Sequence, residues 1–183
     1  VVSGTLKIGA SFTIGEYYLP KVLAEYSVLY PLVDIQIIIS NSNEVIQGVR
    51  SNQIDIGLIE GETDYKDIDV NSFMNDEMIV VVPPDHPLSQ MEIIDGAMLQ
   101  DQTWVLREQG SGTRTYSDKL INKLDLNIKR SFIFTSIQGV KEAVMAGLGI
   151  ALLSRLTVQK ELKTGELRTF HLKSEAFIRP FSV

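Results

Sequence analysis

The sequence predicts an α/β fold of two similar lobes with mainly parallel sheets, and three observations carry the prediction. Short alternating or apolar runs recur with helix-period stretches between them, at the spacing of βαβ units. Small, hydroxyl-rich turns stand at four strand-to-helix junctions, at Ser11, Ser42, Ser111 and Ser136. A segment with three prolines, Pro83-Pro84-Asp85-His86-Pro87, stops a strand and stiffens the chain, after which the pattern of the first part is restated.

Leu6, Ile8 and Ala10 alternate with Thr5, Lys7 and Gly9, the period of a half-buried strand. The next run has helical spacing, with Tyr18, Val22, Tyr26 and Leu29 on one stripe and Pro31 at its end. Asp34 to Ile39 is a second strand, and Asn41 with Glu44 has the spacing of a capping box for a helix that buries Val45, Ile46 and Val49. Ile54 to Ile59 is a third strand, followed by a polar, acidic loop from Gly61 to Asp69 and an apolar strand from Met78 to Val82.

The second lobe opens with a strand at Thr103 to Leu106, a Gln109-Gly-Ser-Gly-Thr113 turn, and a helix carrying Tyr116, Leu120, Ile121 and Leu124. Phe132 to Phe134 is a strand, Thr135-Ser136 caps a helix with Val140, Ala143 and Val144, and Gly147 is placed to end that helix. Gly149 to Leu153 is a buried strand, Leu167 to Leu172 a half-exposed one, and Phe177 to Val183 returns to the first lobe. The predicted organisation is lobe I at 1–82 plus 177–183 and lobe II at 83–176, each Rossmann-like, with right-handed crossovers. Ligands of open α/β sheets bind beyond the carboxyl ends of strands, so the four junctions are expected around a ligand cleft between the lobes.

Composition excludes several chemistries. With 183 residues and 44% hydrophobic content the chain can bury a real core. Its net charge of −6 argues against a nucleic-acid surface, which needs clustered Lys and Arg. The absence of cysteine removes disulfides, thiol catalysis and thiolate zinc sites, and fits a reducing compartment. No apolar run reaches membrane-spanning length, and residues 1–4 lack the regions of a signal peptide, so a soluble, cytoplasmic protein without membrane contact is expected. A start without Met and an apolar, strand-like end point to a fragment of a longer protein.

A strand's carboxyl end meeting a helix's amino end presents unpaired N–H groups and a positive dipole, which favour a small anion. Ser11 and Thr13 can join such donors with their hydroxyls or can simply cap a helix with no ligand; the residues alone leave both readings open. Four such junctions together favour a binding site. Gln109 to Thr113 has neither the phosphate-loop spacing nor the Gly-x-Ser-x-Gly elbow of a nucleophile. His86 reads as an exposed loop residue and His171 as a surface strand residue, each without the partners a base or metal site requires. Asp64, Asp67 and Asp69 lack the glycine and distal Glu of a calcium loop. Trp104 reads as core. No nucleophile and base pair, metal cluster or cofactor fingerprint stands out, so catalytic residues, metals and cofactors are all expected to be absent.

The ordered series Gly4-Thr-Leu-Lys-Ile-Gly-Ala-Ser11, Leu19-Pro20, Tyr30-Pro31, Glu44-Val-Ile-Gln-Gly-Val-Arg50, Gln53-Ile-Asp-Ile-Gly-Leu58, Pro84-Asp-His-Pro-Leu88 and Val144-Met-Ala-Gly-Leu-Gly-Ile-Ala-Leu-Leu153 resembles the effector-binding domain of LysR-type transcriptional regulators. The resemblance covers essentially the whole chain and implies the type 2 periplasmic-binding-protein fold. It implies a cytoplasmic transcription regulator whose complete form carries an N-terminal winged helix-turn-helix, absent from this chain, through which DNA is bound. Carried over by residue, effector contacts fall on Ser11, Thr13, Ser42, Ser111, Thr113, and Ser136 or Gln138.

Glu60 should face the same site. An acid there departs from the small neutral residue of the pattern, and could receive the amino group of a ligand or pair with Lys7, Arg107 or Arg114. The run Ala10 to Pro20 looks like the branch linked to sulfur assimilation and carbon fixation. The implied effector is an anion, an organic acid or an amino-acid derivative. The implied assembly is a homodimer or homotetramer, in which residues 17–30 and 34–39 meet second-lobe elements of a neighbour. A solute-binding protein of a transport system shares the fold and is the alternative reading; an enzyme acting in the same cleft is the third.

Overall fold

The computed structural model describes residues 1–173 and 176–183. In chain order its elements begin β1 (Gly4–Ala10), α1 (Phe12–Tyr17), α2 (Leu19–Leu29), β2 (Val33–Ile39), α3 (Ser42–Arg50) and β3 (Ile56–Glu60). There follow β4 (Ser72–Val82), β5 (Ile93–Ile94), a 3-10 turn at Gly96–Leu99, β6 (Gln102–Arg107), α4 (Gly112–Lys123) and β7 (Ile128–Phe134). The chain ends with α5 (Ile137–Met145), β8 (Ala151–Ser154), α6 (Arg155–Thr164), β9 (Arg168–Thr169), β10 (His171–Leu172) and β11 (Phe177–Ser182). Among the described residues no helix is long and apolar enough to cross a membrane.

Two compact units result. The first comprises 1–75, 110–112 and 180–183, and the second 76–109 and 113–179, within which Ser174 and Glu175 lie outside the described residues. The division falls inside β4 and β11, where the expectation from sequence put it after Val82 and before Phe177; a strand carries no local sign of where its packing partners change.

In the first unit β1 runs parallel to β2 on one side and to β3 on the other, and β11 adds antiparallel to β3 through Phe181 opposite Glu60. Ile8, Ala10, Ile14, Val45, Ile59 and Phe181 form its buried centre. Close approach of α3 to β1 depends on missing side chains: a Cβ at Gly9 or Gly48 would lie within 2.5 Å of the Ile54 side chain. The α3 start follows the capping box, with Asn41 Oδ1 accepting from Glu44 N–H at 2.9 Å.

In the second unit β6 and β7 are parallel, whereas β4 pairs antiparallel with β8 and β9. Trp104 bridges to Ile150 and is fully buried in a cluster with Val80, Leu106, Leu120 and Leu152, the core position expected of it. Gly147 ends α5 with a φ of +86° and Gly165 ends α6 at +79°, left-handed values that glycine adopts without a Cβ penalty.

Four features differ from the sequence expectations. The helix drawn across 17–30 is two helices, broken at Tyr18, with Pro20 in the first turn of the second, a position where its missing N–H costs nothing. The stripe on α2 is largely uncovered: Leu19 is the buried residue of that helix, and Leu29 is 72% exposed. The Arg155–Thr164 helix was not anticipated, because its polar composition hides a short buried face at Thr157 and Val158. The strand expected at 167–172 is two short ones, with buried Phe170 between them.

Candidate functional site

The turn after β1 places Ser11 and Thr13, both fully buried, beside the carboxyl end of β3, because Ser11 N–H donates to the Leu58 carbonyl at 2.9 Å. Glu60 ends β3 and is 6% exposed. Its Oε1 accepts from Thr13 N–H at 3.2 Å, and its Oε2 accepts from Ser42 Oγ at 3.0 Å. Glu60 N–H in turn donates to Ser42 Oγ at 3.3 Å. Two helix starts are therefore tied to one carboxylate, which a buried acid requires: it must be matched by donors.

The segment 110–112 closes on the same group. Asn43 N–H donates to the Gly110 carbonyl at 3.0 Å. A Cβ at Gly112 would lie 2.6 Å from Glu60 Cβ and 2.8 Å from its carbonyl oxygen, so only glycine fits there without displacing backbone. Ser111, 2% exposed, sits between these two glycines. Five of the eight expected residues, Ser11, Thr13, Ser42, Glu60 and Ser111, thus belong to the first unit, and its own hydrogen bonds join Thr13, Ser42 and Glu60.

The donors are not arranged as the sequence suggested. Helix-end N–H groups were expected to be unpaired, but those of Thr13, Asn43 and Glu44 are taken by Glu60, Gly110 and Asn41. One hydroxyl behaves differently: Ser11 Oγ is buried and has no hydrogen-bond partner among the described residues. Such atoms are rare in folded proteins and point to a ligand or an ordered water.

The other three expected residues lie in the second unit. Thr113 Oγ1 accepts from Arg179 Nη1 at 3.1 Å. Ser136 caps α5, its Oγ accepting from Gly139 N–H at 3.0 Å, and exposed Gln138 donates to Glu142. The structure does not bring Ser136 and Gln138 to Thr113 by any hydrogen bond it describes. Arg107 pairs in bidentate fashion with Glu108, and Arg114 pairs with Asp118.

Sequence reasoning missed the polar groups around Thr113. Buried Arg179 donates to Asp76 Oδ2 at 2.8 Å, and Ser154 Oγ donates to Asp76 Oδ1 at 2.6 Å. Positions 76 and 179 are about a hundred residues apart, so no local signal could pair them. His86 is half-buried rather than a free loop side chain. Its Nδ1 accepts from Leu88 N–H at 3.0 Å and its Nε2 lies 3.0 Å from Gln102 Oε1, so the ring braces the proline turn. A groove of about 190 Å³ in the first unit, lined by Val45, Val49, Ile56, Ile59 and Ile68 among others, holds none of the expected residues and is mainly apolar.

The chain has curated relatives. The HTH-type transcriptional regulator CysL of Bacillus subtilis is 44% identical over 99% of this chain and 60% of its own length. The RuBisCO operon transcriptional regulator of Allochromatium vinosum is 30% identical over 94% of this chain and 57% of its own length. This chain therefore spans about three-fifths of the length of such relatives. Among solved structures, the Synechocystis PCC6803 CcmR regulatory domain in complex with 2-PG superposes with a TM-score of 0.88 at 25% identity, covering 98% of this chain and 86% of that one. The two-unit α/β fold is thus that of LysR regulatory domains. Residues 1–183, the whole chain, match the family model described as the LysR substrate binding domain, and the chain belongs to that family.

Proposed function

We propose that this chain is the sensing part of a transcription regulator, holding a small polar metabolite and passing its occupancy to DNA-binding segments outside the chain. The observation that carries the proposal is the Thr13, Glu60 and Ser42 group with the Ser11 hydroxyl beside it, which has no hydrogen-bond partner among the described residues, in a chain of the LysR substrate-binding family. Ser11, Thr13, Ser42, Glu60 and Ser111 are the proposed effector contacts of the first unit, and Thr113, Ser136 and Gln138 those of the second. The role is binding without turnover, in the cytoplasm, with no resident cofactor. An effector acts as a switch only through differential affinity for two states.

A homodimer or homotetramer is the proposed assembly. Val28 and Leu29 on α2, Leu32, and Ile38 on β2 are all exposed apolar side chains of the first unit, the composition of surface that another protein covers. The names of the relatives favour regulation over transport.

A thermal-shift screen of small acids, amino-acid derivatives and inorganic oxyanions tests the site. The compound that stabilises the wild type should bind Ser11→Ala and Ser42→Ala variants about tenfold more weakly, corresponding to ~1.5 kcal/mol for a hydrogen bond to a charged or strongly polar group. Unchanged affinity in both variants would place the effector elsewhere.

A further inference from the structure

We propose that residues 63–70 form a flap along one side of an apolar groove, latched to α3 by Arg50, so that release of this latch opens the groove without unfolding the first unit.

The flap is anchored at its ends and has little to hold it between them. At one end Gly61 N–H donates to the Pro180 carbonyl at 2.8 Å, Ser182 Oγ donates to the Gly61 carbonyl at 2.7 Å, and Ser72 Oγ donates to Glu62 Oε1 at 3.4 Å. At the other end Asn71 and Val183 exchange two backbone bonds, both of 2.8 Å. Among the described residues no backbone hydrogen bond joins 63–70 to another segment. A stretch without such bonds has low local stability and opens readily. Asp64, Asp67 and Asp69 stand there against one lysine, Lys66, so the flap also repels itself.

Arg50, in the last turn of α3, supplies the grip. Its Nε donates to both carboxylate oxygens of Asp67, at 3.1 and 2.9 Å, and its guanidinium lies over the Tyr65 ring, 3.9 Å from the centroid. Gln47, one turn back on the same helix, accepts from Arg50 Nη1 at 3.3 Å and donates to the Tyr65 hydroxyl at 3.4 Å. A guanidinium can do both things at once, because it stacks on a ring through its flat face and keeps N–H donors in its plane.

The flap forms one wall of the groove of about 190 Å³. Val45 and Val49 of α3 and Ile56 and Ile59 of β3 line it opposite Ile68 and Val70 of the flap. Val45 and Ile59 are 0% and 5% exposed. Lifting the flap takes Ile68 and Val70 off them and opens the groove to solvent and to small apolar molecules.

The chain has no cysteine, so a single introduced thiol reports the opening. Val45→Cys and Ile59→Cys, made separately, place reporters in the groove, and Ile14→Cys, at a fully buried position on α1, reports unfolding of the first unit. Each is checked by circular dichroism and labelled with iodoacetamide under native conditions, where the rate follows the open population as long as closing outruns the reaction. Adding Arg50→Met should raise the rate about five- to tenfold at one or both groove reporters, the weight of an exposed stack and an exposed ion pair together, and leave Ile14→Cys unchanged. Arg50→Lys, which keeps the charge and loses the plane, should fall between. Removing what Arg50 grips, with Tyr65→Leu and Asp67→Asn together, should give a similar rise, to which Arg50→Met then adds nothing.

Equal rates at both groove reporters with and without Arg50 overturn the latch. A rise shared by Ile14→Cys shows the first unit unfolding as a whole and overturns the flap. Full additivity between Arg50→Met and the Tyr65 and Asp67 changes shows that they act separately, and overturns the assignment of Arg50 as their partner.

Discussion

Replacing Arg179 by methionine removes the cation from a pair that has almost no contact with water. Arg179 and Asp76 are 0% and 2% exposed, and Nε lies 2.8 Å from Oδ2. The carboxylate keeps the Ser154 hydroxyl at 2.6 Å but loses its charge partner, and Thr113 Oγ1 loses its donor. Breaking a buried pair on one side costs about 3–5 kcal/mol, because the remaining charge stays desolvated. At roughly 2.1 cal/mol/K of unfolding entropy per residue, a 183-residue chain has about 0.38 kcal/mol/K, so the midpoint should fall by ~8–13 °C.

Urea denaturation with fluorescence of the single tryptophan, Trp104, is a suitable assay, since that residue is fully buried in the same unit. The double variant Asp76→Leu with Arg179→Met, which removes both charges, should recover at least half of the loss. A single-variant loss below about 1 kcal/mol, or a double variant no more stable than the single, would refute the reasoning that desolvated charge governs this spot.

Two further outcomes follow from the same geometry. Gly112→Ala should destabilise the chain by about 1–3 kcal/mol in urea denaturation, because its Cβ meets the Glu60 backbone and cannot be relieved by a rotamer change. The Arg155 guanidinium holds Glu77 below its ordinary carboxylate range through a bidentate pair at 3.0 and 3.1 Å, against a smaller opposing effect of burial. A depressed carboxylate stabilises the fold above its unfolded value of 4.5 and stops doing so as pH falls through the lower folded value. The wild type should therefore exceed Arg155→Leu in stability at pH 7, by no more than the ~1 kcal/mol of a part-exposed pair, and the gap should narrow and close as pH falls below 4.5 through the lowered folded value; a gap independent of pH would contradict the assignment.

The parts of this protein legible in its residues were those that local periodicity encodes. Alternation in Leu6 to Ala10 and the helical spacing around Leu120 depend only on which face meets a core. Asn41 and Ser136 announce helix starts because their side chains bond the backbone three residues on. The exposure of α2 was not legible. An apolar stripe shows that something covers a helix, and does not say whether the cover is the same chain.

The site divides in the same way. Hydroxyls at strand-to-helix junctions marked Ser11, Thr13 and Ser42, since the chemistry of a helix start is local. What Glu60 does there was open among several partners, and hydrogen bonds from Thr13 and Ser42 are among those the fold supplies. Its carboxylate meets donors 47 and 18 residues away, and Asp76 meets one 103 residues away. Short-range pattern was enough for most of the elements, for the caps at Asn41 and Ser136 and for the family, because backbone sterics and burial period act over a few residues. Partner choice for buried charge belonged to the folded chain alone, because those groups become neighbours only after the sheets have formed.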